Sequence, residues 1–458
     1  GSVLAMGLSI GTALVGLVIA FTPLLAASAS ATELHGPQEY PTIQAAIDAA
    51  VDGDTVLVAP GTYVGRVDLL GKRITVTGTG GAAVTVIDGA GAPGYVVLAT
   101  SGESVDTRLS GFTIRGGNGG MLVQGASLAI ESCVFADNTK SNGYGGGLAV
   151  FNGSPTITAC TFSGNYAVIG GGLYTEFSSA RVIDGVFVDN QAGYGAGAGF
   201  VAGAVHVRGA AFVGNASNSF GGGAYFNSGS PIVEGCRFSG NSSLGGGAVY
   251  ATSSALRLLN NRITGNDAFA GGGVYVASGS ATRVVNCVID NNAAVYAGGI
   301  YLNSASPQII NCTIAANRFG GVFTTYNAFP HVVNSVIAGN GDADIWVGVE
   351  VYGNGRTTLS YSLVGGVLLA GFEVGPGVQI GAAPAFADAD YRLAAGSPAI
   401  DAGNNSAVPV WAQTDLDGKP RFADDPKTPD TGVGPGPIVD LGAYEFHPPP
   451  TLRARGSS

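Results

Sequence analysis

One motif recurs at a nearly constant spacing through the middle of the chain. It has the form Phe/Ile-x-x-Asn, and its asparagines follow each other at steps of 27, 25, 25, 26, 25, 26, 25 and 23 residues. A unit of this size cannot bury an apolar face alone, so a chain of such units builds its core by stacking one unit on the next. The asparagines are Asn138, Asn165, Asn190, Asn215, Asn241, Asn266, Asn292, Asn317 and Asn340.

Each unit carries short runs of alternating apolar residues. In one unit these are Val274 and Val276, then Val284, then Cys287 and Ile289. Alternation over such short runs indicates strands, and the shift in parity after Val284 indicates a corner. Three short strands and three corners per unit predict an all-β fold, a single-stranded parallel β-helix of about thirteen coils stacked ~4.8 Å apart. The asparagines are then expected to form an internal amide ladder, and in-phase glycine triplets are expected at corners that admit no side chain.

The segments outside the repeat divide the chain further. Residues 1–31 carry no charge and end in Ala29-Ser30-Ala31, which predicts a cleaved signal peptide or, as the alternative, a retained membrane anchor. Thr42 is expected to cap a short helix that covers the open edge of the first coil. The predicted segments are 1–31 (signal peptide), 32–54 (N-terminal helical cap), 55–340 (β-helix), 341–446 (C-terminal β-helix end or anchor-type module) and 447–458 (disordered tail).

Several stretches resemble known families. Gly-Asp-Thr-Val at 53–56 with Pro-Gly-Thr-Tyr at 60–63 resembles the opening of pectin-lyase-like right-handed β-helix proteins. The Gly-Gly and Phe-x-x-Asn repeats over 119–340 resemble the passenger domains of polymorphic outer-membrane proteins, which act as surface adhesins. Ser-Pro-Ala-Ile-Asp-Ala-Gly at 397–403 and Val-Asp-Leu-Gly-Ala-Tyr-Glu-Phe at 439–446 resemble the choice-of-anchor module of bacterial surface β-helices. These resemblances imply a right-handed coil outside the cytoplasm, but this fold carries lyases, hydrolases, adhesins and structural proteins alike.

The net charge and the scattered positions of the acidic residues argue against some classes of function. The chain has 20 lysines and arginines against 31 aspartates and glutamates, a net charge of −11, which speaks against a nucleic-acid partner. The acidic residues of the repeat fall in different columns, so the sequence predicts no catalytic carboxylate pair and no cofactor. Asp415 and Asp417 lie in an Asp-x-Asp-Gly stretch, which is a candidate calcium loop, with an ordinary turn as the alternative.

Aligning the coils produces a column of aromatic residues. It alternates with inward-facing residues, so we expect it to face outward, where a row of rings is suited to stacking on sugars. The alternative is a tyrosine ladder that only stabilises the sheet. The column consists of Tyr174, Tyr225, Tyr275, Tyr301 and Phe323, with gaps at Ala149, Gly199 and Val249.

A second column is basic and lies on the next strand around the corner. It consists of Arg181, His206, Arg257, Arg283 and His331, interrupted by Ile232 and Gln308. Arg257 and Arg283 are expected side by side, and like charges in that position destabilise a sheet. A bound polyanion would relieve the repulsion, because arginine pairs with carboxylates through two hydrogen bonds. The alternative is that the side chains splay into water or pair with surface carboxylates such as Glu234.

All five cysteines occupy inward positions two residues before a core Phe or Ile. Parallel Cβ vectors on neighbouring coils fit disulfide geometry poorly, so we expect buried free thiols. They are Cys133, Cys160, Cys236, Cys287 and Cys312.

Taken together, these patterns predict an exported, non-catalytic protein, extracellular or at the cell surface. Its expected partner is a polysaccharide or another surface component, bound along the aromatic and basic columns, and it contacts a membrane only if the N-terminal segment is retained. Two alternatives remain open. One is a lyase or hydrolase that acts on an acidic polysaccharide, and the other is a structural protein whose coils associate end to end into filaments.

Overall fold

The computed structural model describes residues 31–341, 345–347, 354–366 and 371–449. By its contacts the chain divides into Gly1–Ala31 and Thr32–Ser458, so apart from Ala31 the described residues belong to the second unit. The predicted signal peptide before Ala31 and the predicted tail beyond Pro449 lie outside the described residues. Within the described ranges, no helix has the length and apolarity needed to cross a membrane.

The described strands form parallel sheets in which neighbouring strands come from consecutive coils, about 13 coils in all. Sheet A contains Glu33–Gly36, Thr55–Val58, Thr75–Gly78, Arg108–Ser110, Ala129–Glu131, Thr156–Thr158, Arg181–Ile183, His206–Arg208, Ile232–Glu234, Arg257–Leu259, Arg283–Val285, Gln308–Ile310, His331–Val333, Thr357–Ser360 and Phe372–Val374. Sheet B contains Gly61–Val64, Thr85–Asp88, Thr113–Arg115, Val134–Ala136, Thr161–Ser163, Val186–Val188, Ala211–Val213, Arg237–Ser239, Arg262–Thr264, Val288–Asp290, Thr313–Ala315, Val336–Ala338, Leu363–Val364 and Gln379–Ile380.

Sheet C contains Val67–Asp68, Val97–Ala99, Met121–Gln124, Leu148–Phe151, Leu173–Glu176, Ala198–Val201, Ala224–Asn227, Val249–Thr252, Val274–Val276, Ile300–Asn303, Val322–Thr325 and Ile345–Val347. Sheet D contains Thr139–Tyr144, Tyr166–Ile169, Gln191–Tyr194, Ala216–Phe220, Ser242–Gly245, Asp267–Ala270 and Ala293–Tyr296.

Sheet D is built from a fourth strand that some of the coils contain and that the sequence analysis did not predict. It lies between the ladder asparagine and the glycine corner of each coil from residue 139 to 296. Small residues such as Ala167 and Ala192 face inward there and are buried. Because a short side chain lets the backbone run close to the core, this corner adopts extended geometry and pairs with the next coil. Coils in this range therefore carry four strands, where three were predicted.

The core is a stack of identical side chains from successive coils. The rings of Phe135, Phe162, Phe187, Phe212 and Phe238 lie 4.5 to 5.0 Å apart between centroids and within 7° of parallel. Isoleucines continue the same column in the coils that follow, in register with the phenylalanines. The rings are almost fully buried, so each coil supplies the apolar cover that its neighbour lacks.

The predicted asparagine ladder is confirmed. Asn215 shows its geometry: the side-chain amide donates to Phe187 O at 2.9 Å and to Asn241 Oδ1 at 2.9 Å. Its own Oδ1 accepts from the backbone and side-chain nitrogens of Asn190, at 3.1 and 3.0 Å. The buried amide thus satisfies backbone groups that the corner would otherwise leave unpaired.

Glycine opens the corner before each strand of sheet C from residue 145 to 271, as predicted. At Gly170 the backbone has φ of +67°, and a Cβ would lie 2.3 Å from Leu173 O. At Gly246 φ is again +67°, with Val249 O 2.3 Å from the same position. A side chain is excluded there on both conformational and steric grounds.

One helix, Ile43–Ala49, precedes the second strand of sheet A in the described chain. Thr42 Oγ1 accepts from Ala45 N at 3.0 Å, which is an N-cap, and Ile43, Ala46 and Ile47 are buried against the first strands of sheets A and C. Its role as a cap of the solenoid stays a prediction.

The C-terminal segment, residues 382–446, lies along the outside of sheets A and B. Ala412 and Trp411 pack on an apolar row of sheet A that faces away from the core. Corner asparagines also hold the segment: Asn286 Nδ2 donates to Thr414 O at 2.7 Å, and Asn334 exchanges two hydrogen bonds with the Asn404 backbone at 2.7 and 2.9 Å. The outward row beneath it consists of Leu259, Val285, Ile310 and Val333.

Candidate functional site

The aromatic column differs from its prediction in register and in exposure. Strand pairing places Tyr250 between Tyr225 and Tyr275, so the predicted gap at Val249 is wrong. Val249 instead faces the core. The error arises because the left-handed glycine of that coil is Gly246, the second residue of its triplet, and not the first.

Much of the aromatic column is covered by other rings. Tyr174 is only 3% exposed and Phe323 only 6%, so the expectation that these two face solvent is wrong. Sheet D supplies part of the cover: Tyr144 stacks on Tyr174 with centroids 4.7 Å apart, and Phe220 stacks on the column at 4.5 Å from Tyr250. Ring faces are thus largely used within the protein, which favours the sheet-stabilising role of the column.

The remaining members of the column are half-buried, namely Tyr225, Tyr275 and Tyr301. Tyr301 stacks on Phe323 at 5.2 Å, and the Tyr275 hydroxyl accepts a hydrogen bond from Asn303 Nδ2 at 3.1 Å. Burial raises the pKa of the Tyr275 hydroxyl, so it stays protonated at neutral pH. Their role in ligand binding stays a prediction.

The basic column lies on the outer face of sheet A in the expected order. Register pairs Arg181 with His206 and Arg257 with Arg283. His206 Nε2 is 3.1 Å from Glu234 Oε2, which is the surface pairing that the sequence analysis held open. Arg181 is exposed and forms no ion pair with any described residue, so it does not pair with its neighbour Asp184.

Arg257 and Arg283 differ in what surrounds them. The Arg257 guanidinium lies over the Trp411 ring, with its central carbon 5.4 Å from the ring centroid. Arg283 is exposed, and within the described chain no carboxylate pairs with it. The C-terminal segment thus places an aromatic ring over one of two adjacent cations, and no described carboxylate forms an ion pair with either of them.

A groove of about 460 Å³ runs between this part of sheet A and the loop at 406–411. Its volume lies in the range of small-ligand sites. Arg283, Gln308 and His331 form one wall, and Pro409 and Trp411 belong to the other. His331 Nε2 is 3.1 Å from Ser360 Oγ, and partial burial lowers the pKa of the His331 imidazole, so the ring is neutral at pH 7. The groove joins a cation, an amide, a neutral imidazole and an indole.

The sequence matches the family described as "Right handed beta helix region" over residues 94–266 and 209–364. These matches cover more than half of the chain. The chain belongs to this right-handed β-helix family.

Solved structures of several proteins align over most of the chain with low similarity. A pectate lyase, Pel9A, is 15% identical with a TM-score of 0.35, and the match covers 88% of this chain and 91% of that one. The A-module of mannuronan C-5 epimerase AlgE6 from Azotobacter vinelandii is 16% identical with a TM-score of 0.34, covering 70% and 93%. Among curated proteins, none matches this sequence. Likenesses this distant do not bear on activity.

The predicted calcium ligands of this right-handed β-helix protein have other partners. Asp415 is buried, and its Oδ1 accepts from the backbone nitrogens of Asp417 and Lys419 at 2.9 and 2.8 Å. The Asp417 carboxylate receives two hydrogen bonds from Arg392, at 2.7 and 2.8 Å. This geometry fits the ordinary turn that was the alternative. Because both carboxylates already accept hydrogen bonds, calcium binding at Asp415 and Asp417 stays a prediction.

Trp411 is the site residue that the sequence analysis missed. It is one of only two tryptophans in the chain, but it lies 154 residues after Arg257, the arginine that it contacts. A signal was present on the other side of the contact. Outward positions of sheet A are apolar in four successive coils, as in Val285 and Ile310, which indicates a strand face that something covers.

Proposed function

We propose that this protein binds an acidic polysaccharide along the outer face of sheet A, with the groove beside Arg283 as its main site. The observation that carries the proposal is that Arg283 and Trp411 both line this groove, while Arg257, the register neighbour of Arg283, lies over the Trp411 ring. A guanidinium pairs with a uronate carboxylate through two hydrogen bonds, and an indole ring stacks on the apolar face of a sugar.

The column supports an extended ligand more than a compact one. Its members repeat at the rung spacing of ~4.8 Å along the solenoid, so a polymer with a charge on each sugar meets cations in sequence. Arg181 lies three rungs before Arg257, with His206 and Ile232 between them. Contacts at several rungs add in avidity when one chain spans them.

In the leading version of this proposal the protein binds the polysaccharide without cleaving it. We also propose an extracellular or cell-surface location, which rests on the predicted export segment. Two described carboxylates of sheet A, Glu131 and Glu234, are already paired with Arg108 and His206. They are therefore poorly placed to act as the acid and base of a hydrolase.

One observation favours a second candidate, a polysaccharide lyase. His331 is neutral at pH 7 and lies two rungs from Arg283 in the same groove. A neutral imidazole is a suitable base for removing the proton beside a uronate carboxylate, and an arginine is suited to neutralising that carboxylate. This pair supports cleavage by elimination at the same site.

Isothermal titration with polygalacturonate, alginate and neutral dextran tests the proposal. We expect the acidic polymers to bind and dextran not to bind, with affinity that falls as salt rises. Arg283→Ala should weaken binding about tenfold or more, since a charge-assisted hydrogen bond contributes about 1.5 to 3 kcal/mol.

Arg237→Ala is the matched control, because it removes one exposed arginine from sheet B, outside the groove. Equal losses from Arg237→Ala and Arg283→Ala, or tight binding of dextran, would contradict the proposed site. Release of unsaturated uronate from either acidic polymer, abolished by His331→Ala, would replace simple binding with the lyase candidate.

A further inference from the structure

Three carboxylates of the C-terminal segment converge away from the groove. Asp401, Asp424 and Asp430 each present an oxygen atom, and these atoms all lie within 4.8 Å of one another. Asp424 and Asp430 are exposed, whereas Asp401 is fully buried. Among the described residues, no lysine or arginine forms an ion pair with any of the three.

Independently of this clustering, the buried Asp401 carboxylate has an oxygen atom without a hydrogen-bond donor. Its Oδ1 is buried and has no hydrogen-bond donor, while Oδ2 accepts one long hydrogen bond from Asp425 N at 3.3 Å. Buried carboxylate oxygens are normally paired, because removing a negative charge from water without compensation is costly. Two further carboxylates at the same point increase that cost, and a bound cation would relieve it.

We propose that Asp401, Asp424 and Asp430 bind a calcium ion. Calcium takes oxygen ligands at 2.3–2.6 Å, so oxygens bound to one ion lie within about 5.2 Å of one another. The three carboxylate oxygens here lie within 4.8 Å of one another and meet that condition. The exposed side of the cluster leaves room for the water molecules that complete six to eight ligands. An all-oxygen site on this scale is unsuited to zinc, which prefers nitrogen and sulfur.

The ion would fasten one loop of the segment to another. Asp401 O already accepts from Thr431 N and Gly432 N, at 2.9 and 3.0 Å, and the metal would add a second tie between the same two loops. Asn405, four residues after Asp401, donates to Pro435 O and Pro437 O at 2.6 and 2.8 Å. Calcium is thus expected to order the segment that carries the loop at 406–411.

Calcium titration of the chelator-treated full-length chain, without any polysaccharide, tests this site. We expect one saturable calcium ion per chain by calorimetry and a rise in the thermal midpoint that magnesium at equal ionic strength does not reproduce. The double variant Asp424→Asn/Asp430→Asn changes only exposed side chains, so it should fold and lose at least about tenfold in calcium affinity.

Asp417→Asn is the matched control, since that carboxylate is paired with Arg392, and it should bind calcium as the unmodified chain does. Unchanged affinity in the double variant, equal binding of magnesium, or no saturable binding at millimolar calcium would each overturn the assignment. Because no glycan is present, these outcomes are independent of whether the polysaccharide proposal holds.

Discussion

Within the repeat, a single asparagine in each coil satisfies backbone and side-chain groups of two neighbouring coils. Asn215 donates to Phe187 O and to Asn241, and it accepts twice from Asn190. At 0% exposure no water replaces these partners. The glycine corners act at the same scale, since they exclude a Cβ by backbone conformation and by contact.

Asn215→Ala should lower the free energy of unfolding by about 3 to 5 kcal/mol, because several buried donors and acceptors lose their partner at once. Equilibrium urea unfolding followed by far-ultraviolet circular dichroism measures this loss. Asn218→Ala is the control, as Asn218 is exposed in the same coil and should cost less than about 0.5 kcal/mol. Equal losses of unfolding free energy in the two variants would show that the asparagine ladder does not make this contribution to stability.

Glu445 makes the stability of the C-terminal segment depend on pH. Burial raises the pKa of this carboxyl well above its ordinary value, and the charge of Asp440 raises it further, while Arg421, 3.8 Å away, lowers it. Asp415 Oδ2 accepts a hydrogen bond from the backbone nitrogen of Glu445 at 3.0 Å. A folded-state pKa above the unfolded value of about 4.3 means that the contribution to stability is complete below about pH 4 and is lost as pH rises through the folded-state pKa.

Glu445→Gln should therefore flatten the decline of the thermal midpoint as pH rises above about 4, the range in which the unfolded carboxyl ionises first. Differential scanning calorimetry in the presence of a chelator measures it without interference from calcium. Glu373→Gln is the control, because Glu373 is exposed and paired with Arg356 at 2.7 Å. A decline as steep as that of the unmodified chain would show that Glu445 is not the titrating group.

At the scale of elements, the coil was predictable from the sequence and the packing of distant segments was not. The strands of sheets A, B and C follow from local alternation, and the ladder follows from spacing, as at Asn215. Sheet D was missed because its inward residues are small, as at Ala167, and give little apolar contrast. Tyr250 was missed because the left-handed glycine of its coil is Gly246, the second of its triplet, which shifts the register of the following strand by one residue.

The groove was only half predictable for a related reason. Arg257 and Arg283 share a column that spacing alone establishes, whereas Trp411 reaches them through the C-terminal segment. A contact between residues so far apart leaves no periodic trace. The only local sign is the loss of alternation where Val285 and its equivalents face outward.

The outward apolar row of sheet A that contains Val285 is expected to bind the C-terminal segment to the solenoid. Val285→Asp should release residues 382–446 while leaving the solenoid folded, because it places a charge beneath Ala412 and Trp411. Limited proteolysis with mass spectrometry should then find cleavage confined to that segment. Ile183→Asp occupies the equivalent outward position in a coil that the segment does not cover, and it should give no new cleavage.

At the scale of the whole molecule, the fold arranges like residues into continuous lines along one axis. The chain is acidic overall, with a net charge of −11, yet the basic column concentrates cations along one face of it. Fields of this kind steer charged polymers and weaken as salt increases. End-to-end filaments remain an alternative at this scale, which electron microscopy of the purified protein would show by their length.

Tryptophan fluorescence of a Trp346→Phe variant is the most direct test of acidic-polysaccharide binding at the groove, because it leaves Trp411 as the only indole in the chain. We expect a saturable change in emission on titration with uronate oligosaccharides, absent with neutral ones and lost in Arg283→Ala. Binding detected by calorimetry with no change in Trp411 emission would contradict it.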